Sequence, residues 1–192
     1  MKNILFVIAL AMLIAIVGCS DNNASDTKQK EVQASTVANE KSGDEVVWMN
    51  FDKGLAKAKE ENKNMIVDFY TDWCHWCKVM DEKTFQNESV SEVLADKFIT
   101  VRLNAEDGSK TATYKGKTYT NIELTRAFGV RGFPSIAFLD KQGEIITLVP
   151  GYVPAETFAY LLDYVEQECY KKQMSFDEFM KKKGECEDNT KT

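Results

Sequence analysis

The chain has 192 residues, 44% hydrophobic and 28% charged, enough for one domain with a real core. Its net charge is -6 with acidic and basic residues interspersed, so no basic patch argues for a nucleic-acid partner. It carries one histidine, His75, which excludes a multi-histidine metal site.

In chain order, Lys2 precedes an apolar run from Ile4 to Val17, then Gly18-Cys19-Ser20. The run falls short of the about 20 residues a membrane span needs. It has the charged start and apolar middle of a secretory signal. Ile16-Val17-Gly18-Cys19 resembles a bacterial lipoprotein cleavage box. That resemblance implies acylation of Cys19, and several acyl chains anchor stably where one does not. An ordinary signal peptide with an incidental cysteine, or an uncleaved anchor, are the alternatives. Residues 1–18 therefore read as a signal. Residues 19–44 are too polar to offset chain entropy and read as a flexible tether.

A domain is expected over 45–172. Glu45 to Trp48 is a short apolar start with strand character. A helix over about Phe51 to Glu61, capped by Asn50 or Asp52, puts Phe51, Leu55 and Ala58 on one face. Asn62-Lys63-Asn64 breaks it. Met65 to Tyr70 reads as a buried strand, and Trp73-Cys74-His75-Trp76-Cys77-Lys78 follows at a strand-to-helix junction. Two cysteines two residues apart at such a junction form a dithiol site. The next helix carries Val79, Met80 and Phe85. A second begins at Asn87-Glu88 and runs from Ser89 to Lys97, and Phe98 to Leu103 alternates as a strand. Asn104 to Thr120 reads as a loop or small hairpin, with Asn121 capping a short helix through Phe128. Ser135 to Leu139 is a further buried strand. Asp140-Lys141-Gln142-Gly143 is a turn, and Glu144 to Val149 returns antiparallel. Pro154 opens a long helix with Phe158, Leu162, Val165 and Cys169 in one stripe. Alternating elements followed by a hairpin predict an α/β fold, a central mixed sheet with helices on both faces.

Residues 173–192 read as a short helical C-terminal extension, opened by the capping box Ser175-x-x-Glu178 and ended near Gly184. Cys169 and Cys186 either form a disulfide that staples this extension to the long helix, or stay as a buried cysteine and a free tail thiol.

Val67-Asp68-Phe69-Tyr70-Thr71-Asp72-Trp73-Cys74 resembles the active-site strand of thioredoxins, and Val130-Arg131-Gly132-Phe133-Pro134-Ser135 their cis-proline segment. Lys141-Gln142-Gly143-Glu144 and Gly151 fall where that fold has its last hairpin and following glycine. The resemblance covers about Val46 to Val165. Within the superfamily it is strongest to secreted thioredoxin-like proteins and the reductase domain of the transmembrane disulfide reductase, through Trp48, Ala56 to Lys63, and Thr84-Phe85 with Val90. The stretch before Asn121 also resembles, more weakly, thioredoxins of sulfur-oxidation systems.

The resemblance implies a thioredoxin fold and a thiol–disulfide oxidoreductase with Cys74 as nucleophile and Cys77 as resolving thiol. At a helix N-terminus the Cys74 thiolate is favoured. A drop in pKa from about 8.5 to about 7 multiplies the thiolate at pH 7 about 16-fold and weakens its attack about five-fold, a net gain of a few-fold. Cys77, a turn further on, should be the less exposed. Asp68 is implied as a buried carboxylate that helps Cys77 lose its proton. Arg102 takes the position of a thioredoxin lysine and, unable to shed its charge, would hold Asp68 more ionised.

His75-Trp76 replaces the usual Gly-Pro. A protonated His75 favours the thiolate, and each pKa unit moves the couple about 30 mV toward oxidising. Pro134 should be cis and face the dithiol. Trp73, Trp76 and Phe133 would form an apolar rim for substrate, with core packing as the other reading of Trp73. No metal or cofactor is expected: only one Cys-x-x-Cys is present, and Lys78 stands where a c-type haem site needs histidine.

The expected partners are disulfide-bearing envelope proteins, a transmembrane disulfide reductase as electron donor, and the membrane through the lipid anchor. The expected place is the periplasmic face of a bacterial envelope. Net reduction is the favoured direction. Net oxidation or isomerisation, and a non-catalytic binding module, are the alternatives.

Overall fold

The computed structural model describes residues 46–186. The signal reading of 1–18, Cys19 and the 19–44 tether lie outside the described residues, as do the last six of the extension.

Helix α1 is Phe51–Glu61. Asn50 caps it, its side chain accepting from the Lys53 amide at 2.9 Å, and Asn62 closes it in the left-handed region at φ 53°. Strand β1, Asn64–Tyr70, follows, then α2, His75–Met80, which runs into a π-helical turn, Asp81–Phe85. α3 is Glu88–Lys97 and β2 is Phe98–Asn104. Of the loop or small hairpin expected next, the structure has the hairpin, β3 at Thr111–Tyr114 and β4 at Lys117–Thr120. α4 is Asn121–Ala127, β5 Ser135–Leu139, β6 Ile145–Pro150 and α5 Ala155–Glu166. A 3-10 turn, Cys169–Lys172, leads to α6, Phe176–Lys181.

The central sheet has the order β2-β1-β5-β6, with β1 parallel to β2 and antiparallel to β5. β1 is central and buried on both faces, which is why it reads as a continuous apolar run with one interruption, Asp68. Alternate residues go to opposite layers. Met65, Val67 and Phe69 join Ile99, Val101 and Leu103 of β2 under α1, the hairpin and α4. Ile66 joins Phe98, Ile136 and Phe138 under Met80 and Phe85, α3 and α5. This is the mixed sheet with helices on both faces that the element order predicts. α1 approaches β2 closely at Gly54, where a Cβ would collide with the Val101 side chain.

Three local readings differ. Thr120, not Asn121, caps α4. Its hydroxyl accepts from the Glu123 amide while the Glu123 carboxylate accepts from the Thr120 amide, a full capping box. Asn121 is the first helical residue, its buried side chain donating to the Asn104 carbonyl. The first residues make only an isolated parallel bridge, Met49 with Val101. Leu55, half-buried, packs against the same core layer as Phe51 and Ala58, as its spacing predicts, and Gly54 makes the tight contact of that face. α5 ends at Glu166, so Cys169 leaves the sheet-facing stripe and packs with Met174 and Phe179 of the extension.

There Ser175 and Glu178 form the expected capping box. Cys169 and Cys186 are joined in a disulfide, Cα–Cα 5.7 Å. Tyr160, Tyr164 and Phe176 complete this small cluster, and the Tyr164 hydroxyl donates to the Met174 carbonyl at 2.7 Å. Among the described residues, no helix is long and apolar enough to cross a membrane.

Candidate active site

β1 ends at Tyr70, and a turn in which the Cys74 amide donates to the Thr71 carbonyl (3.1 Å) delivers Cys74 to the N-cap of α2. Cys74 and Cys77 are bonded, Cα–Cα 5.3 Å. The Cys77 amide donates to Cys74 Sγ at 3.0 Å. An N–H of the first helical turn thus points at the sulfur that would carry negative charge after reduction. The expected difference in exposure is not seen: Cys74 is 3% and Cys77 4% exposed. In the bonded form Cys74 Sγ turns toward Cys77 and its amide rather than outward.

Aromatic side chains flank the pair. Trp73 is 67% exposed, so core packing does not describe it. Its indole N–H donates to Glu106 at 2.9 Å and its ring meets Phe133 edge-on, centroids 6.2 Å apart. Trp76, 54% exposed, lies against Tyr152 at 5.5 Å and His75 at 5.8 Å. The Phe133–Pro134 peptide is cis. Pro134 is buried just before β5, whose Ser135 pairs with Phe69, so it sits at the sheet end from which the dithiol segment leaves. The Pro134 carbonyl accepts from the Gly151 amide at 2.8 Å, which joins this segment to the loop bearing Tyr152.

Asp68 points into the layer that α2 covers. It is 1% exposed, and the parallel register sets it opposite Arg102. Arg102 Nε and Nη2 both donate to Asp68 Oδ2, at 2.9 and 2.8 Å, and Nη2 also bonds Asp81 at the start of the π-helical turn. The guanidinium lies over the rings of Trp48 (4.6 Å) and Tyr70 (5.3 Å). Asp68 Oδ1 has no hydrogen-bond partner. Burial pushes the Asp68 carboxyl from an ordinary 3.8 up to about 6. Arg102 opposes that rise and Asp81 adds to it. At pH 7 the group is then roughly nine-tenths ionised, despite its burial.

A family model described as a thioredoxin-like domain matches residues 51–166. The chain belongs to the thioredoxin-like family. It is similar to the thiol:disulfide interchange protein DsbD of Pseudoalteromonas atlantica, 31% identical over 157 residues, covering 81% of this chain and 24% of that protein. The chain thus spans about a quarter of the length of that curated relative. A thioredoxin-fold protein from Helicobacter pylori shares the fold, with a TM-score of 0.54 at 20% identity over 68% of this chain and 91% of its own. A thioredoxin from Thermus thermophilus has a TM-score of 0.52 at 25% identity, over 66% of this chain and 89% of its own. In this thioredoxin-like chain the Cys74–Cys77 pair stands at disulfide distance.

Sequence reasoning missed Asp81, Tyr152 and Glu106. Asp81 had a signal: it lies four residues after Cys77, so both fall on one helical face. Tyr152 and Glu106 sit in loops, where no periodicity marks them.

Proposed function

We propose that this protein is an extracytoplasmic, membrane-anchored oxidoreductase that reduces disulfides of envelope proteins through Cys74 and Cys77. Residues 1–18 serve as its signal, Cys19 carries the lipid, 19–44 is the tether, 45–172 the catalytic domain and 173–192 an extension. The observation that carries the chemistry is the Cys77 amide on Cys74 Sγ, within a disulfide whose chain neighbours Trp73 and Trp76 are exposed.

In the reduced protein the Cys74 thiolate attacks one sulfur of a substrate disulfide. A mixed disulfide forms, and the other substrate sulfur leaves as a thiolate and takes up a proton. Cys77 gives its proton to Asp68 and attacks Cys74 Sγ. The mixed disulfide breaks, the second substrate sulfur departs and takes a proton, and the Cys74–Cys77 bond forms. Two electrons pass from the dithiol to the substrate, and the protons end on the two substrate thiols. Asp68 suits the transfer because it is mostly carboxylate at pH 7 yet takes a proton near pH 6. Trp73 with Phe133, and Trp76 with His75 and Tyr152, give an extended peptide apolar surface on either side of its disulfide. A transmembrane disulfide reductase returns the protein to its dithiol form; the DsbD likeness supports that partner.

The deciding measurement is insulin reduction together with the potential of the Cys74–Cys77 couple. A potential near about −270 mV supports the reductant, and one near about −120 mV makes the protein an oxidant instead. Complete absence of exchange leaves a binding module. Anchoring is tested by acyl labelling: a Cys19→Ser protein processed and retained like the parent would overturn it.

A further inference from the structure

The segment between β1 and α2 buries one side chain before it reaches the dithiol. Thr71 is 1% exposed, while Asp72 and Trp73, which follow it, are exposed. Thr71 opens the turn that delivers Cys74, its carbonyl accepting from the Cys74 amide at 3.1 Å. Just before it, the Tyr70 carbonyl accepts from the Ala105 amide at 2.8 Å, which pins the end of β1. A four-residue turn brings its first and last Cα atoms within about 7 Å of each other. Thr71 and Cys74 are thus buried at the two ends of one short turn. Among the described residues the Thr71 hydroxyl has no hydrogen-bond partner. A threonine that opens a turn ordinarily bonds a backbone group of that turn, and this one does not. A buried, unbonded hydroxyl is destabilising, and valine has the same shape without that cost. Packing therefore gives no reason for a hydroxyl at this position.

We propose that the Thr71 hydroxyl is a donor held for the dithiol form: once the Cys74–Cys77 bond is reduced it donates to the Cys74 thiolate, and so moves the couple toward oxidising. This rests on the oxidoreductase reading above. In the disulfide, Cys74 Sγ is uncharged, and such a sulfur is a weak acceptor. That is the state of the structure, and in it the hydroxyl is unbonded. Reduction leaves a thiolate at the far end of the same turn, and a hydrogen bond to an ionised acceptor is roughly twice as strong as a neutral one. The Cys77 amide already reaches Cys74 Sγ at 3.0 Å in the bonded form, so it serves the oxidised state as well. The hydroxyl is the donor that tells the two states apart. Both of its effects have one sign. Unbonded, it raises the free energy of the disulfide form. Bonded, it lowers that of the thiolate form.

The test compares the full-length parent with Thr71→Val and Thr71→Ser. Each is equilibrated at pH 8 with mixtures of reduced and oxidised glutathione, alkylated and peptide-mapped, so that the Cys74–Cys77 pair is read apart from Cys169–Cys186. The pH midpoint of Cys74 alkylation is read on the reduced proteins. In Thr71→Val the equilibrium moves toward the disulfide by about five-fold or more, which is about 20 mV toward reducing, and the alkylation midpoint rises by about one pH unit. Thr71→Ser, which keeps a hydroxyl, restores most of both displacements. Urea unfolding of each protein in both redox states supplies the control. If the hydroxyl serves only packing or an internal water, Thr71→Val changes the stability of both states alike. The glutathione equilibrium and the midpoint then stay at the parent values, and the proposal is overturned. Movement of the equilibrium toward the dithiol in Thr71→Val overturns it as well. The glutathione readout needs no protein substrate, so the two readings fail separately. A parent that reduces no insulin sinks the oxidoreductase, whereas equal equilibria in parent and Thr71→Val sink the role of Thr71.

Discussion

Replacing Asp68 by asparagine should make the stability of the oxidised protein less dependent on pH. Burial lifts the folded-state carboxyl from 3.8 to about 6. Each pKa unit is about 1.4 kcal/mol, so the displacement amounts to about 3 kcal/mol. The folded state holds the proton more tightly than the unfolded chain does. The stabilisation from protonated Asp68 is therefore complete below about pH 3.8 and is lost as pH rises through about 6. Roughly 2.5 kcal/mol of that loss falls between pH 4 and pH 7.5. The asparagine side chain has nothing to titrate. Urea unfolding of both proteins, oxidised, at half-unit steps across this range gives the two stability curves. The parent should lose about 2.5 kcal/mol relative to Asp68→Asn on going from pH 4 to pH 7.5, at equal m-values. Loss of the Arg102 contacts adds a mostly constant offset, which the difference in slope removes. Two parallel curves would show that Asp68 is not perturbed, and the proton-acceptor argument would fail with them.

Cys77→Ser should accumulate a mixed disulfide on Cys74 with substrate proteins, seen as reducible adducts on non-reducing gels. Equal adduct yield from Cys74→Ser would reverse the assignment of the two thiols. The Cys169–Cys186 bond closes a loop of sequence separation 17. Replacing both cysteines with alanine should cost roughly 3 kcal/mol in unfolding free energy. Hydrogen exchange should place the loss in α6, with exchange activity unchanged. Gly54→Ala drives a methyl into Val101, with Met65 3.4 Å away. Overpacking of that kind costs roughly 1–3 kcal/mol, measured by urea or thermal unfolding.

The fold is readable because its boundaries are marked by chemistry that acts locally. Asn50, Asn62, Gly143 and the Ser175-Glu178 pair each satisfy backbone groups within a few residues of themselves. The same logic shows why the cap of α4 reads one residue late. Thr120 and Asn121 are both capping types, and only the position of Glu123, three after Thr120, decides between them. The dithiol is equally legible, since Cys74 and Cys77 lie within one turn of one helix. The Arg102–Asp68 pair can be anticipated by laying the two strands side by side. Its link to Asp81 cannot, because an acid on a helix ordinarily reads as solvated surface, and its partner lies 21 residues away across the layer. Tyr152 is invisible for a similar reason: it reaches Trp76 only once the β5–β6 hairpin brings its loop across to the dithiol.

Position 68 is where two demands on the sequence conflict. β1 is one of the two inner strands of the sheet, and an apolar residue there would avoid the desolvation that raises the Asp68 carboxyl. Arg102 offsets part of that cost, but a bridge built only to stabilise would pair one cation with one anion and leave no oxygen free. Here the cation is shared with Asp81 and one buried oxygen stays unbonded. Both features keep the carboxylate less settled than a simple ion pair would. For packing this is a defect. For the role proposed above, taking a proton during each exchange and releasing it afterwards, a titration near neutrality is the requirement, and a fully satisfied Asp68 would be too acidic to meet it.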